Sequence, residues 1–226
     1  MKFLSYSLLA FIVLVLLAVG LTTKIPPASI GVKQVQVGPG KGVIEEDFST
    51  GLVLSLPSYH IWHLFPRQTH FLHFTGGARI DDRRISTREI EDWRGPLQLR
   101  TSDNNNVELD VSVTYKIIRG SAYRLVQDGL RVDYVDRVRS LVLDVLRTEL
   151  AKLTSEDLQL TDTRTERAQL TLNVLREKLA QFHVEPEDIL IRAVSFQADY
   201  EDKLQNKQLL RQQSKLEEAL TAQAEE

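Results

Sequence analysis

Residues 107–117 read Val-Glu-Leu-Asp-Val-Ser-Val-Thr-Tyr-Lys-Ile and alternate between apolar and polar side chains at every step. Because successive side chains of a β-strand point to opposite faces, this alternation predicts a long strand with one buried face. Residues 97–100 alternate in the same way, and residues 101–106, Thr-Ser-Asp-Asn-Asn-Asn, are typical of a turn. The stretch therefore predicts an antiparallel strand pair.

Helical spacing follows this strand. We predict a short helix over residues 122–127 and an amphipathic helix over residues 132–153, where apolar residues recur at steps of three and four. Residues 154–157, Thr-Ser-Glu-Asp, are expected to break it. Thr163 and Glu166 have capping-box spacing and predict the start of another helix. The expected apolar side of that helix is Ala168, Leu172, Leu175 and Leu179.

Three further segments carry weaker signals. Residues 38–42, Gly-Pro-Gly-Lys-Gly, predict a hairpin connection. Residues 79–94 mix both signs of charge, which predicts a solvated loop or a short exposed helix. Residues 189–196 follow Pro186 and are mostly apolar, so we expect a final, mostly buried strand.

The beginning of the chain is strongly apolar. Residues 3–21 contain no charged side chain, and a helix of that length rises about 28 Å, close to the hydrocarbon thickness of a bilayer. We therefore expect residues 1–24 to form a transmembrane anchor. A cleaved secretory signal is the alternative, because residues 18–20 have small-x-small spacing. The lipid contacts expected in the anchor are Leu8, Phe11, Leu14 and Leu17.

Aromatic and histidine side chains are concentrated in residues 59–74. Tyrosine and tryptophan have apolar bodies and polar tips, so Tyr59, Trp62 and Phe65 are candidate contacts with lipid headgroups. An aromatic core of a small β domain explains the same residues equally well. A further hypothesis is a metal site formed by the four histidines of this segment, His60, His63, His70 and His73. Strand residues three apart face opposite ways and no carboxylate lies nearby, so we expect no metal there.

Net charge, cysteine content and the absence of catalytic motifs argue against several classes of function. The net charge of −3 gives no indication of nucleic-acid binding. The chain has no cysteine, which excludes disulfides and thiolate chemistry. It contains no Gly-x-Ser-x-Gly, His-Glu-x-x-His or Walker motif, so we expect no catalytic residue, no cofactor and no enzyme activity.

The end of the chain predicts a protruding helix. Residues 198–226 contain neither Pro nor Gly and are rich in Gln, Glu, Lys, Leu and Ala. Leu209 and Leu216 are one heptad apart, which is typical of a long coiled-coil-type helix that pairs with neighbours. The candidate oligomerisation contacts are Leu204, Leu209, Leu216 and Leu220.

The order of these segments resembles a known family. An apolar N-terminal segment leads to residues 24–27, Lys-Ile-Pro-Pro, and residues 30–32, Ile-Gly-Val, followed by a Gly-x4-Leu-Pro passage at residues 51–57. Thr101-x-Asp103-x3-Val107 then heads the alternating strand, and an arginine-bearing helix, a strand and a Gln/Glu/Lys-rich helix follow. The chain is similar in this respect to the band 7 (SPFH) family of stomatin, prohibitin, flotillin and the bacterial membrane-protease modulators.

The resemblance implies a non-enzymatic membrane scaffold. Such proteins assemble side by side, as homo-oligomers or with related band 7 chains, into large rings or cages that organise a membrane microdomain. In some cases they regulate a membrane-bound AAA-type protease or other membrane clients. By resemblance to single-pass bacterial members, we expect the domain on the extracytoplasmic side of the inner membrane, with the cytoplasmic face as the alternative. The competing functions are a monomeric exported or tethered binding module and a His-dependent metalloenzyme.

The predicted fold class is accordingly α+β, a band 7-like antiparallel β structure with helices between two terminal helices. We divide the chain into a transmembrane anchor (residues 1–24), a membrane-proximal β-rich subdomain (25–96), a second α+β subdomain (97–197) and the start of the coiled-coil-type helix (198–226).

Overall fold

The computed structural model describes residues 20–38, 40–76 and 91–197, together with residues 200, 212 and 213. The strands are β1 (Thr22–Ile25), β2 (Ser29–Val35), β3 (Gly42–Phe48), β4 (Gly51–Leu54), β5 (His60–Pro66), β6 (His70–Phe74), β7 (Glu91–Arg94), β8 (Leu97–Arg100), β9 (Asn106–Ile117) and β10 (Val184–Phe196). The helices are α1 (Ala122–Gln127), α2 (Tyr134–Leu150), α3 (Ser155–Gln159) and α4 (Thr161–Leu179), followed by a 3₁₀ turn (Ala180–Phe182). The predicted α+β class is confirmed.

Both predicted terminal helices lie almost wholly outside the described residues. This holds for the expected lipid contacts Leu8, Phe11, Leu14 and Leu17, and for the expected oligomerisation contacts Leu204, Leu209, Leu216 and Leu220. At the end of the predicted anchor, residues 22–24 belong to strand β1 rather than to a helix. Within the described ranges, no helix combines the length and apolar composition that crossing a bilayer requires.

The predicted strand pair is confirmed and forms the centre of the largest sheet. Strand β9 pairs antiparallel with β8, with Leu97 opposite Leu109, and its other edge pairs with β10 along nearly its whole length. The six apolar residues of β9 all point inward and are at most 4% exposed. The alternation at residues 107–117 thus reflects one buried face.

This sheet has the strand order β10-β9-β6-β7, with β8 pairing the first part of β9. Helices α2 and α4 cover its inner face, where α4 packs on β10 and α2 packs on α4 and β8. Strands β6 and β7 precede residue 96, and strands β8, β9 and β10 follow it. This sheet therefore crosses the boundary that we predicted between the two subdomains.

The helical predictions are confirmed in part. Helix α1 has the predicted bounds, and all four residues expected on the apolar side of α4 are buried. Val132, however, is exposed, because α2 begins only at Tyr134. Most of the remaining apolar stripe is buried, including Val138, Val142, Val145, Leu146 and Leu150.

The predicted capping box at Thr163 is wrong. Helix α4 already begins at Thr161, with Leu160 at its N-cap. The capping box of this region lies instead at residues 154–157, which we expected only to break a helix. The hydroxyl of Thr154 accepts from the Asp157 N–H at 3.1 Å, and Asp157 accepts from the Thr154 N–H at 3.0 Å. These bonds satisfy free donors at the start of α3.

Two strand predictions also need correction. Strand β10 is not mostly buried: it lies at the edge of its sheet, begins at Val184 and contains Pro186. Proline is tolerated on an edge strand because it has no N–H to contribute. Residues 91–94 form strand β7, parallel to β6, rather than a loop or helix. The rest of the charged segment lies outside the described residues.

Truncating an inward residue of β9 should test the central role of its buried face. We expect Leu109→Ala to lower the free energy of unfolding by about 2–5 kcal/mol, because Leu109 is fully buried. Leu190→Ala on the neighbouring strand β10 is the matched control, since Leu190 is largely exposed. Thermal and denaturant unfolding of the detergent-solubilised protein measure both. Equal losses for the two variants would contradict this description of the core.

Candidate functional site

Several turns and strand ends meet where the chain leaves the predicted anchor. The Ser55 N–H donates to the Leu21 carbonyl at 2.7 Å, so the start of β1 and the end of β4 lie together. The Gln36 N–H donates to the Tyr59 carbonyl at 2.9 Å, which adds the end of β2 and the turn before β5. Segments far apart in sequence therefore converge at one end of the described fold.

This end carries exposed apolar side chains. Val37 is 63% exposed, Leu52 74%, Leu54 64% and Leu56 40%. We call these four residues the exit surface. A concentration of exposed aliphatic side chains beside one chain segment is typical of an interaction surface rather than of ordinary solvent exposure.

The β1–β4 ribbon explains how two of these leucines are held outward. Leu54 lies opposite Thr22 and Leu52 lies opposite Lys24, and all four residues are exposed on one face of the ribbon. The other face carries Ile25, which is fully buried. Ile25 fits against Gly31 of β2, where any added Cβ would lie 2.6 Å from the Ile25 Cδ1 atom. The ribbon therefore packs on β2 by one face and presents the leucines with the other.

The aromatic candidates occupy different environments. Tyr59 is half-buried in the turn beside Leu56, whose carbonyl accepts from the Tyr59 N–H at 3.1 Å. Trp62 is also half-buried, and its indole N–H donates to the Ser55 hydroxyl at 2.9 Å. Phe65 is buried in the core, with its ring 6.1 Å from that of Tyr134. Tyr59 and Trp62 thus adjoin the exit surface, whereas burial removes Phe65 from it.

The exit surface is not predicted by the sequence. Residues 52–56 read Leu-Val-Leu-Ser-Leu, so the sequence signal is a short apolar run in which Leu52, Leu54 and Leu56 would share one face of a strand. That signal shows which residues share a face. It does not show that no other part of the described fold covers the face.

The four histidines of residues 60–73 pair with separate groups. The Leu56 N–H donates to His60 Nδ1 at 2.9 Å, and His63 Nε2 lies 2.7 Å from Gln34 Oε1. His73 Nδ1 lies 2.9 Å from the Ser112 hydroxyl, and His70 stacks on Tyr115 with ring centroids 4.9 Å apart. Within the described ranges, no three potential ligands converge to hold a metal. The geometry of these histidines is that of strand and core packing.

The Thr101-x-Asp103 motif has a structural role in the described fold. Asp103 accepts from the Ser155 N–H at 3.0 Å and from the Ser155 hydroxyl at 3.1 Å. Burial would raise the pKa of Asp103, but hydrogen bonds from Thr101 and Ser155 outweigh it and lower the pKa. A carboxylate stabilised in its charged form is a poor general base near neutral pH. The motif joins the β8–β9 turn to the start of α3.

Protonation of His70 should make stability depend on pH. Burial lowers the pKa of His70 to about 4 in the folded protein, against 6.5 for an ordinary histidine. The unfolded chain therefore binds more protons between these values, and stability falls as pH decreases from 6.5 towards 4. The full loss is on the order of 3 kcal/mol. His70→Phe retains a ring against Tyr115 and should flatten this part of the profile; an unchanged slope in denaturant unfolding would contradict the assignment.

A comparison with protein-family models gives a match over most of the chain. The family model described as "SPFH domain / Band 7 family" matches residues 23–226. No curated protein matches the chain. The matched region begins at the second residue of β1, continues through β10 and includes the exit surface.

Proposed function

The chain belongs to the SPFH domain / Band 7 family, and on that premise we propose that it is a membrane-anchored scaffold whose copies assemble laterally into a large ring or cage. Proteins of this family are generally membrane-associated, non-enzymatic scaffolds. The proposed assembly organises a patch of membrane and regulates a membrane-bound protease or other membrane clients. Its subunits are copies of this chain or related band 7 chains.

The position of the exit surface is the observation that best supports this function. Its leucines lie beside Leu21, the last residue of the uncharged stretch 3–21, so an anchor in the bilayer would bring them to the membrane interface. Transfer of each exposed leucine from water into lipid contributes up to about 2 kcal/mol. Lys24, opposite Leu52, is long enough to keep its ammonium group among the headgroups. The surface thus suits the boundary between water and hydrocarbon.

This arrangement extends the membrane-contact set expected from sequence. We propose that Tyr59 and Trp62 lie at headgroup level, while the exit surface and the anchor residues Leu8, Phe11, Leu14 and Leu17 contact hydrocarbon. The subdomain nearest the membrane would then be the β-rich one, residues 25–96. For an anchor with its N-terminus in the cytoplasm, the domain lies on the extracytoplasmic side of the membrane.

Depth labelling tests the membrane contact of the exit surface. The chain has no native cysteine, so Leu52→Cys and Leu54→Cys can each carry a single environment-sensitive fluorophore. In vesicles whose lipids bear bromine on the acyl chains, we expect strong quenching at both positions. Leu160→Cys, an exposed leucine in the α3–α4 connection, is the matched control and should not be quenched.

Quenching at position 160 equal to that at positions 52 and 54 would contradict the proposed orientation. Absence of quenching at all three positions would contradict membrane contact by this end of the fold.

Lateral assembly is supported by the pattern of residues 198–226. On the predicted helix Leu204 falls on a different side from Leu209, Leu216 and Leu220, which share one side. An amphipathic helix can bury that shared side only against a neighbouring helix. Copies attached to one membrane share an orientation, so such helices would meet side by side. We therefore assign the subunit contacts of the proposed ring in part to these leucines.

The native mass of the full chain in gentle detergent tests the assembly. We expect particles of many subunits, and we expect Leu209→Asp with Leu216→Asp to reduce the particle mass, because both changes place a charge in the helix contact. Ser214→Asp with Thr221→Asp adds the same charge elsewhere on the predicted helix and is the control. A monomeric wild-type chain would contradict the proposed scaffold.

A further inference from the structure

A cavity of about 360 Å³ lies beside the beginning of helix α2. We call it the α2 socket. Two of its apolar lining residues are unusually exposed: Leu64 of β5 is 50% exposed and Val132 is 71% exposed. The remaining lining residues are His63, Phe65, Pro66, Arg131, Tyr134 and Val135. The socket combines an apolar rim with the cationic side chain of Arg131.

The electrostatics of the socket favour an acidic occupant. Its lining contains no Asp or Glu, and Arg131 makes no ion pair within the described part of the chain. His63 and Arg131 line the same cavity, and burial and then the charge of Arg131 lower the pKa of His63. The buried His63 Nδ1 has no hydrogen-bond partner among the described residues. Asp133 is exposed nearby but does not line the cavity.

A complementary surface lies at the other end of α2. Leu160, in the connection between α3 and α4, is 55% exposed, and Glu156 and Asp162 beside it are exposed carboxylates. We call these three residues the acidic knob. Helix α2 has 17 residues and is about 25 Å long, and α4 begins beyond its C-terminal end and packs along it. The socket and the knob are therefore separated by roughly the length of α2.

We propose that the acidic knob of one copy of this chain docks into the α2 socket of the next copy. Leu160 would pack against Leu64 and Val132, while Glu156 and Asp162 would face Arg131. Because the two surfaces lie at opposite ends of one helix, the contact is head-to-tail and is repeated from copy to copy. Such a contact closes into a ring when the rotation between copies allows it. This inference rests on the proposed function and names one contact within that assembly.

Cysteine crosslinking of the full chain in membranes tests the contact. With no native cysteine to compete, Val132→Cys together with Leu160→Cys should give a ladder of covalent multimers on mild oxidation or with a short bis-maleimide. Each single variant should give no ladder, because a head-to-tail contact pairs position 132 only with position 160. The double variant Val132→Cys with Leu170→Cys is the matched control, since Leu170 is similarly exposed but lies along α4.

Charge reversal in the crosslinking background separates a specific contact from random collision. We expect Arg131→Glu to reduce ladder formation about tenfold, as a lost interfacial ion pair does. Adding Glu156→Arg or Asp162→Arg should restore ladder formation.

Particles that retain a multimeric native mass but give no ladder would overturn this contact while leaving the proposed scaffold intact. A monomeric native mass would overturn both, and a ladder insensitive to charge would overturn the role of Arg131.

Discussion

The burial of one face of strand β9 is the constraint on which the rest of the described fold depends. Its apolar side chains require a cover, and α2 and α4 provide it. Its two edges are paired by β10 on one side and by β8 and β6 on the other. The turn before β9 is joined in turn to α3 through Asp103 and Ser155. One strand therefore fixes the positions of both helices and of the largest sheet.

A three-stranded antiparallel sheet with the order β3-β2-β5 is tied to this core by a carboxylate. Asp47 at the end of β3 accepts from the N–H groups of Ala122 at 3.1 Å and Tyr123 at 2.9 Å, at the start of α1. These donors would otherwise lack an intrahelical partner. These two hydrogen bonds couple the β3-β2-β5 sheet, on which the β1–β4 ribbon packs, to the helical layer. The exit surface is thus held by the fold rather than placed on a free loop, which suits the proposed orientation of the domain above a membrane.

Local periodicity predicted the parts of the fold in which one face is buried. The strand at residues 107–117 and the apolar side of α4 were predicted correctly, because burial imposes a strict period on the sequence. The capping box of α3 was missed because Thr154 and Asp157 lie between two apolar stripes, and Thr163 with Glu166 offered the same spacing nearby. Strand β7 was missed because its partner β6 lies beyond a charged segment, and pairing between distant strands leaves no local signal.

The candidate site was less predictable for a related reason. Their aromatic side chains made Tyr59, Trp62 and Phe65 the predicted membrane contacts. Phe65 nevertheless belongs to the core, and the most exposed apolar residues of the described fold are aliphatic. Whether an apolar face is covered depends on tertiary packing. For Leu52 and Leu54, the deciding feature is the packing of Ile25 on Gly31, which turns the opposite face of the ribbon outward.

An electron cryo-microscopy map of the full chain in lipid nanodiscs would test the central claim most directly. We expect closed multimers in which the β1–β4 ribbon lies at the level of the headgroups and the β9 sheet stands clear of the bilayer. Isolated subunits with the ribbon turned away from the lipid would contradict it.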